Sequence, residues 1–405
     1  MKILMLGWEL PPYNSGGLGT ACLQLCKALS KRSGIDIEFI VPYQAKHDDI
    51  DFMTVSSATP QGVASIVRSG IAYDSYKYIR EDGSEEWLNI YDQQALYEHA
   101  VASMVDGREF DLVHAHDWLT FRAAMRVREK RGVPIVLHVH SVESDRAGAT
   151  GGGNPMVREI EGLSMLLADR VIAVSQHTKN CIVREYGVPA DKIEVVHNSI
   201  DPVDIVPSAD ENVYHYLEAM RAHGYRVVVN VGRLTIQKGL PNLLYAAKEV
   251  VYRAPKTLFL IVGSGEQYYE LIELAADLGI GKNVLFTDFQ RGKRLRDAFA
   301  AGDLFVMPSV SEPFGLTPLE AIGYGNTPAL VSRQSGVSEI LRNCLKVDFW
   351  DINEMANQIT TVMQNDPLRD NLIANARLEY EKLSWENASE KLETIYGQHL
   401  AGAAA

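Results

Sequence analysis

The sequence predicts an α/β protein with two doubly wound domains, each built on a parallel sheet covered by helices on both faces. The chain has 405 residues, more than one hydrophobic core usually serves, so two domains of about 200 residues are expected. Short apolar runs alternate with amphipathic stretches of helical period along most of its length, which is typical of parallel strands buried on both faces. The alternation stops between residues 201 and 225, where proline and acidic residues intervene, and then restarts.

In the first half, apolar runs predict strands and the amphipathic stretches between them predict helices. The strands are residues 2–6, 37–41, 112–116, 135–140, 170–174 and 193–197, and the helices lie near residues 19–30, 118–130, 156–168 and 176–185. Residues 45–90 are polar and rich in tyrosine, which indicates an insertion or a hairpin.

The second half repeats the pattern. Its strands are RVVVNVG from Arg226, TLFLIVG from Thr257, NVLFTDF from Asn283, DLFVMPS from Asp303, TPALVS from Thr327 and CLKVDF from Cys344. Helices are expected near residues 240–252, 266–278, 294–300, 318–324 and 352–363.

The expected organisation is a first domain at 1–204, a hinge at 205–225, a second domain at 226–384 and a C-terminal helix with an Ala-rich tail at 385–405. The stretch 367–398 fits either an extension of the second domain or a return to the first.

Composition excludes several classes of protein. Hydrophobic residues make up 46% and charged residues 22%, so a largely disordered chain is excluded. A net charge of −13 without any dense Lys/Arg run argues against a nucleic-acid partner. No apolar stretch is long enough for a membrane span or resembles a signal peptide, and four cysteines do not suggest a disulfide framework. The expectation is a cytoplasmic protein.

The first informative loop is WELPPYNSGGLG at residues 8–19, between a strand and a helix. Gly16 and Gly17 would let backbone N–H groups approach a phosphate at the start of the helix. A nicotinamide dinucleotide site would place its glycines directly after the strand as GxGxxG, so that reading is weak. A turn that needs glycine only for its backbone geometry remains the alternative.

The second loop is GRLTIQKG at residues 232–239, after the first strand of the second domain. Arg233 and Lys238 lie in a loop that opens a helix, where two cations could neutralise a departing diphosphate as a metal would otherwise do. Solvated loop cations are the alternative.

The third loop is EPFGLTPLE at residues 312–320. Thr317 is predicted to be an N-cap, with Pro318 in the first helical position and Glu320 completing a capping box. The N–H groups just before and at this helix start would converge on an anion; they belong to Gly315, Leu316 and Thr317.

Glu312 has no such structural explanation. A carboxylate on a loop at the end of a strand, before Pro-Phe-Gly, needs another role. Hydrogen bonding to sugar hydroxyls is a natural one.

Histidines at the ends of two strands form two His-x-His pairs, His114 with His116 and His138 with His140. Alternation along a strand puts each pair on one face, a geometry that suits a metal, and Asp117 follows as a carboxylate ligand. Because both strands should be buried, packing of these rings in the core is the favoured reading, and no metal is predicted. A metal-dependent hydrolase built on the pairs is the most distant alternative.

Taken together, these motifs resemble retaining glycosyltransferases of the GT-B fold. The likeness is greatest to the bacterial glycogen and starch synthase type and its family-4 relatives. It rests on GGLG near the start, HAHDW from His114, VHS with His140, GRLTIQKG and, above all, EPFGLTPLE. The motifs occur in the right order and cover nearly the whole chain.

The resemblance implies a set of site residues. The implied catalytic residues are His140, Arg233, Lys238 and Glu312. The implied nucleotide-sugar-binding residues are Gly16, Gly17, Gly263, Gly315, Leu316, Thr317 and Glu320. Asp117 would lie on the sugar or acceptor side.

Individual roles follow from the same resemblance. Arg233 and Lys238 would bind the donor diphosphate and stabilise the leaving group. Glu312 would contact the transferred sugar and Glu320 the nucleotide ribose. His140 would lie beside the donor sugar, near the reacting centre.

The implied activity is metal-independent transfer, with retention of configuration, of a glucosyl or other hexosyl group from a UDP-, ADP- or GDP-sugar to an α-1,4-glucan. No further cofactor is implied. The alternative is a family-4 transferase acting on a small sugar, a sugar phosphate or a lipid-linked acceptor.

Departures from the synthase pattern include Ser15, where bacterial members carry lysine, and Phe314, where several carry cysteine. Lys238→Ala or Glu312→Ala is expected to abolish most turnover and leave thermal stability nearly unchanged.

Two other classes fit less well. A GT-B phosphorylase would need a lysine motif for pyridoxal phosphate that the sequence does not show, and an epimerase would need a different arrangement of carboxylates and histidines. A glycan-binding relative without activity should have lost Arg233, Lys238 or Glu312, and all three are present.

Overall fold

A computed structural model describes residues 1–14, 16–44, 46–68, 76–148, 152–202 and 212–403. Ser15, the first part of the expected hinge (205–211) and the end of the Ala-rich tail lie outside the described residues. The chain divides into two compact units. The first comprises Met1–Glu143, Asn154–Ser199 and Trp385–Ala405, and the second comprises Ser144–Gly153 and Ile200–Ser384.

Strands of the first unit form a parallel sheet and a small antiparallel one. In chain order they are β1 (Lys2–Leu6), β2 (Asp36–Val41), β3 (Thr54–Ser57), β4 (Val63–Arg68), β5 (Tyr76–Arg80), β6 (Glu85–Trp87), β7 (Leu112–His116), β8 (Ile135–Val139), β9 (Arg170–Ala173) and β10 (Ile193–Val195). The parallel sheet has the order β10-β9-β8-β7-β1-β2-β3. Its central strands are buried throughout, as continuous apolar runs predict.

Helices cover this sheet and bury one stripe each. Up to residue 199 they are α1 (Gly17–Ser30), α2 (Ile90–Met104), α3 (Trp118–Arg131), α5 (Pro155–Leu167) and α6 (Gln176–Tyr186), while the short helix α4 (Glu143–Arg146) passes into the second unit from Ser144 onward. In α1 the buried positions include Cys22, Leu25, Cys26 and Leu29, which recur at the helical period. Both α3 and α6 end at a glycine in the left-handed region, Gly132 and Gly187, as helix C-termini often do.

The tyrosine-rich region at 45–90 contains β3 and a three-stranded antiparallel sheet of order β4-β5-β6. Ile66, Tyr76 and Tyr78 are buried, while Val67 and Trp87 are exposed. Tyr76 and Tyr78 therefore serve as core residues of an antiparallel insertion that follows β3, the third strand of the parallel sheet in chain order.

The second unit has its own parallel sheet, of order β13-β12-β11-β14-β15-β16. Its strands are β11 (Arg226–Val231), β12 (Thr257–Val262), β13 (Val284–Thr287), β14 (Leu304–Met307), β15 (Ala329–Ser332) and β16 (Leu345–Val347). Its helices are α7 (His215–Ala222), α8 (Leu240–Arg253), α9 (Tyr268–Asp277), α10 (Gly292–Ala300), α11 (Thr317–Gly325), α12 (Val337–Ile340), α13 (Ile352–Gln364) and α14 (Asp366–Tyr380).

Both sheets run outward from a central strand in the order expected of Rossmann-like domains, so the predicted fold class is confirmed. The final helix, α15 (Trp385–Ala403), belongs to the first unit and contacts α1. Residues 212–225 of the expected hinge, including α7, belong to the second unit, as do residues 144–153. None of the described helices is both long and apolar enough to cross a membrane.

Candidate active site

In the second unit, predicted site residues lie at the carboxyl ends of two neighbouring strands. β11 and β14 are adjacent in the sheet, but β12 and β13 lie on one side of the pair and β15 and β16 on the other. Loops diverge at such a switch point and leave a crevice in which ligands bind. The loop after β11 contains Arg233 and Lys238, and the loop after β14 contains Glu312.

Lys238 and Glu312 form an ion pair at this switch point. The Lys238 Nζ atom lies 2.5 Å from Oε2 of Glu312, and the Ser309 hydroxyl donates to the same oxygen at 3.0 Å. Glu312 is only 8% exposed, so its carboxylate depends on these partners. Within the described parts of the chain, no other group accepts a hydrogen bond from Lys238 Nζ. Two of its three protons are therefore available to an anion.

Backbone contacts hold the two loops against each other. The Val310 N–H group donates to the Gln237 carbonyl at 2.9 Å, and the Gln237 side-chain amide donates to the Ser311 carbonyl at 3.0 Å. Gly239 has a φ of +64°, and a Cβ atom there would lie 2.2 Å from the Pro308 carbonyl oxygen. The position of Lys238 beside Glu312 is thus fixed by the backbone on both sides.

Gly263, which follows β12, packs against the loop after β11. Its φ is +147°, and a Cβ atom there would lie 1.8 Å from the Gly232 carbonyl oxygen. Only glycine fits such an approach. Packing alone therefore explains this residue, and its contact with a nucleotide stays a prediction.

The capping box predicted at the start of α11 is wrong. Leu316 takes the N-cap position, without a side-chain cap, and Thr317 is already the first helical residue. The Thr317 hydroxyl lies 3.8 Å from Sδ of Met307 instead of bonding a backbone N–H group. The N–H groups of Gly315, Leu316 and Thr317 have no hydrogen-bond acceptor among the residues described, so they are available to an anion.

Without a capping role, Glu320 is a carboxyl in the first turn of α11 that makes no hydrogen bond or ion pair with any described residue. Burial raises the pKa of Glu320 to about 7, although the residue keeps part of its surface exposed. A carboxyl that titrates near neutral pH beside a free helix N-terminus is typical of a functional position.

In the first unit, Gly16 is the N-cap of α1 and Gly17 its first residue, as a phosphate-binding turn requires. A Cβ atom on Gly16 would meet nothing within 4 Å. The sequence reasoning missed Glu9, which is buried and accepts a hydrogen bond from the Gly19 N–H group at 3.3 Å. Its position directly in the glycine-containing loop is the signal that could have found it.

His140 directly follows β8, at the carboxyl end of the first sheet, and Asp117 holds it there. The Asp117 carboxylate accepts hydrogen bonds from the His140 N–H group at 2.6 Å and from the Ser141 N–H group at 3.2 Å. Asp117 itself has a φ of +60°, an unusual backbone conformation for a non-glycine residue. The structure thus brings Asp117 and His140 together, with Asp117 as a backbone clamp.

The four histidines stack against one another in the first unit, with His114, His116 and His138 buried and His140 half-buried. Ring centroids of successive pairs lie 4.4 to 5.3 Å apart, with interplanar angles of 9° to 38°. Burial lowers the pKa of His114 and of His140 to about 3, and it holds the pKa of His116 and of His138 well below the ordinary value. The rings are therefore neutral at physiological pH.

Two groups of these side chains come within reach of a metal. They are His114 with His116 and His138, and Cys22 with His116 and His140, each with ligand atoms within 4.8 Å of one another. The lone pairs of an imidazole lie in the ring plane, so nearly parallel rings direct them side by side and not toward one centre. The geometry favours packing, and the absence of a metal stays a prediction.

Two protein-family models match two successive parts of the chain. Residues 15–204 match the model of glycosyltransferase family 4, and residues 218–379 match that of glycosyl transferases group 1. An uncharacterized glycosyltransferase of Methanocaldococcus jannaschii is 29% identical over 98% of both chains. The D-inositol 3-phosphate glycosyltransferase of Nocardia farcinica is 31% identical over 82% of this chain and 72% of its own.

Solved structures show the same fold. Sucrose-phosphate synthase from Thermosynechococcus elongatus superposes with a TM-score of 0.75 over all of both chains, at 19% identity. Anabaena HepE, solved with UDP and glucose, gives a TM-score of 0.73 over 98% of this chain and 100% of its own, also at 19% identity. The chain therefore belongs to the group 1, family 4 glycosyltransferases of the GT-B fold.

Proposed function

We propose that this chain transfers a hexosyl group from a nucleoside diphosphate sugar with retention of configuration and without a metal. The observation that carries the proposal is the Lys238–Glu312 pair at the switch point of the second sheet. One charged group there suits the diphosphate and the other suits the sugar hydroxyls. The free N–H groups at the start of α11 add a second anion site in the same unit.

The chemical step balances with these residues. The bond between the sugar C1 atom and the diphosphate oxygen breaks, and its electron pair goes to that oxygen. Arg233 and Lys238 stabilise the charge that develops there. The acceptor hydroxyl attacks C1 from the same face and gives its proton to the departing phosphate oxygen. The products are a nucleoside diphosphate and a glycoside of unchanged configuration, and no protein nucleophile is needed.

For the acceptor, we favour a small polyol or sugar that carries a phosphate. D-Inositol 3-phosphate glycosyltransferases are 30% to 31% identical to this chain over 71% to 72% of their own length. An α-1,4-glucan is the second candidate, since HAHDW and EPFGLTPLE resemble glycogen synthases.

The test measures release of nucleoside diphosphate from UDP-, ADP- and GDP-hexoses in EDTA. Each donor is combined with inositol phosphates, with hexose phosphates or with glycogen. Release that depends on a phosphorylated acceptor, with an axial anomeric product by NMR from an α-linked donor, is the expected result. Glycogen-dependent release would select the second candidate. Failure of every donor to bind would overturn the proposal.

A further inference from the structure

His140 has one ring nitrogen turned into the protein and one that is not. Its Nε2 atom lies 3.0 Å from Nδ1 of His116. No described residue forms a hydrogen bond with the Nδ1 atom of His140. Both ring nitrogens of His138 are buried without a partner, whereas the Nδ1 atom of His140 is accessible. A substrate at the carboxyl end of β8 would therefore meet the Nδ1 atom.

The hydrogen bond between the two rings can run in either direction. If His116 donates, the His140 proton is on Nδ1 and His140 presents a donor to the substrate. If His140 donates, its proton is on Nε2 and Nδ1 presents a lone pair. Both rings are neutral because burial holds their pKa values low, so each carries one proton.

Met5 decides between the two directions. The other nitrogen of His116, Nε2, lies 3.5 Å from the thioether sulfur of Met5 in β1. A thioether sulfur accepts hydrogen bonds weakly and has no proton to give. His116 therefore gains a partner at Met5 only when its own proton is on Nε2. That leaves His116 Nδ1 as an acceptor, which draws the His140 proton onto Nε2.

Other groups near these rings do not compete for this proton. Cys22 lies nearby on α1, but its sulfur makes no hydrogen bond to either ring in the part of the chain that the structure describes. His138 stacks face to face on His140, with ring centroids 4.4 Å apart, so it offers a ring face and no in-plane acceptor.

We infer that Met5 and His116 are positioning residues that hold His140 in the tautomer protonated on Nε2, so that its Nδ1 lone pair accepts a hydrogen bond from a hydroxyl of the sugar substrate. The substrate half of this inference rests on the proposed function, whereas the tautomer is a property of the free protein.

The tautomer is tested by NMR of the whole protein labelled with 15N-histidine. The His140 signals are assigned by their loss in His140→Gln, and two-bond couplings show which ring nitrogen carries the proton. A His140 ring protonated on Nε2 is expected in the wild type. A ring protonated on Nδ1 would overturn the inference.

Met5→Leu removes the sulfur and keeps a similar volume. We expect a mixture of His140 tautomers, and a rise of about fivefold to tenfold in the donor KM with a smaller change in kcat, as expected for one hydrogen bond. Met165→Leu, at another fully buried methionine of the first unit, is the matched control and should change neither value. An unchanged tautomer in Met5→Leu would show that Met5 has no part in it.

His116 is tested by a pair of variants. His116→Phe keeps a ring in the stack but removes both nitrogens, whereas His116→Asn restores an acceptor near the Nδ1 position. The inference requires that the Asn variant recover the Nε2-protonated form better than the Phe variant. If the tautomer is as expected but no nucleoside diphosphate sugar binds, the proposed function fails while the assignment of the tautomer stands.

Discussion

Lys238 and Glu312 serve stability as well as the proposed chemistry. Glu312 is nearly buried and receives hydrogen bonds from Lys238 and from the Ser309 hydroxyl. Removing the lysine leaves a carboxylate with one neutral donor in a poorly solvated position. The expectation from sequence, that stability would be nearly unchanged in either variant, overlooks this pairing because it joins residues that are 74 positions apart.

We therefore expect Lys238→Ala to lower turnover by about a hundredfold to a thousandfold, because it removes charge stabilisation of the leaving group. It should also lower the free energy of unfolding by about 2 to 4 kcal/mol. The double variant Lys238→Met with Glu312→Gln should recover most of that stability but no activity. Lys248→Ala, at an exposed lysine on α8, is the control. Thermal unfolding and product release on the same preparations decide whether stability and activity separate in this way.

A second expectation concerns Glu320. Its folded-state pKa is about 7, against an ordinary value of 4.5. An acid with a raised pKa stabilises the fold only while it is protonated, so this contribution is complete below pH 4.5 and is lost as the pH rises to 7. Glu320→Gln cannot ionise. It should match the wild type at pH 4.5 and exceed it by up to roughly 3 kcal/mol at pH 8.

The measurement is the midpoint of thermal unfolding of Glu320→Gln and wild type across this pH range. Glu273→Gln, at an exposed glutamate on α9, is the control and should follow the wild type. A difference between Glu320→Gln and wild type that is constant with pH would mean that Glu320 does not titrate near neutrality.

At the scale of elements, the connection after β12 requires glycine at residue 263. Gly263 combines a φ of +147° with a backbone oxygen 1.8 Å from where its Cβ atom would lie. Gly281, in the turn between α9 and β13, has an ordinary φ and nothing within 4 Å. The two glycines therefore provide a matched pair for the same substitution.

Gly263→Ala should displace the loop that carries Arg233 and Lys238, and should lower the free energy of unfolding by about 2 kcal/mol or more. Gly281→Ala should be neutral or stabilising by about 0.4 to 1 kcal/mol, since it restricts only the unfolded chain. Chemical denaturation of both variants is the measurement. Equal stability of the two would show that the backbone at Gly263 can move away at little cost.

Hydrophobic periodicity predicts the helical segments, but it does not always predict the residue at which a helix begins. The periodicity placed α8 and α13 within one or two residues, because an apolar stripe defines the helical segment well. At α11 the same reasoning chose Thr317 as the cap, since threonine before proline is a strong start signal. The helix begins one residue earlier than that choice allows, because the Thr317 side chain lies against Met307. This contact comes from the end of β14, ten residues earlier in the chain, and the pattern of capping residues does not reveal it.

Over the whole molecule, the positions of most parallel strands follow from sequence, because most of these strands are unbroken apolar runs. The loops that follow the strands were also predicted as the site, since ligands gather at the carboxyl ends of parallel strands. Two features could not be predicted. They are the pairing of Lys238 with Glu312 and the series of hydrogen bonds that runs from Met5 through His116 to His140. Each depends on how elements distant in sequence lie against one another, which no local pattern of residues encodes.

The destination of the last helix was equally open from sequence, and the structure assigns α15 to the first unit. Its apolar side is part of the first core, with Trp385, Leu392 and Tyr396 buried, and Arg32 pairs with Glu386, Glu390 and Glu393 along its polar side. The Tyr396 hydroxyl also lies 2.5 Å from Nδ1 of His114. This helix therefore contacts β7 through His114, whose ring stacks on that of His116.

Leu392→Ala should consequently destabilise the first unit alone. A fully buried leucine replaced by alanine costs about 2 to 5 kcal/mol. Hydrogen exchange should accelerate in α1 and β7, whereas α13 and α14 of the second unit should exchange as in the wild type. Leu163→Ala, at an exposed leucine on α5, should change neither region. Faster exchange in α13 and α14 with α1 unaffected would instead place the helix with the second unit, the alternative that the sequence pattern leaves open.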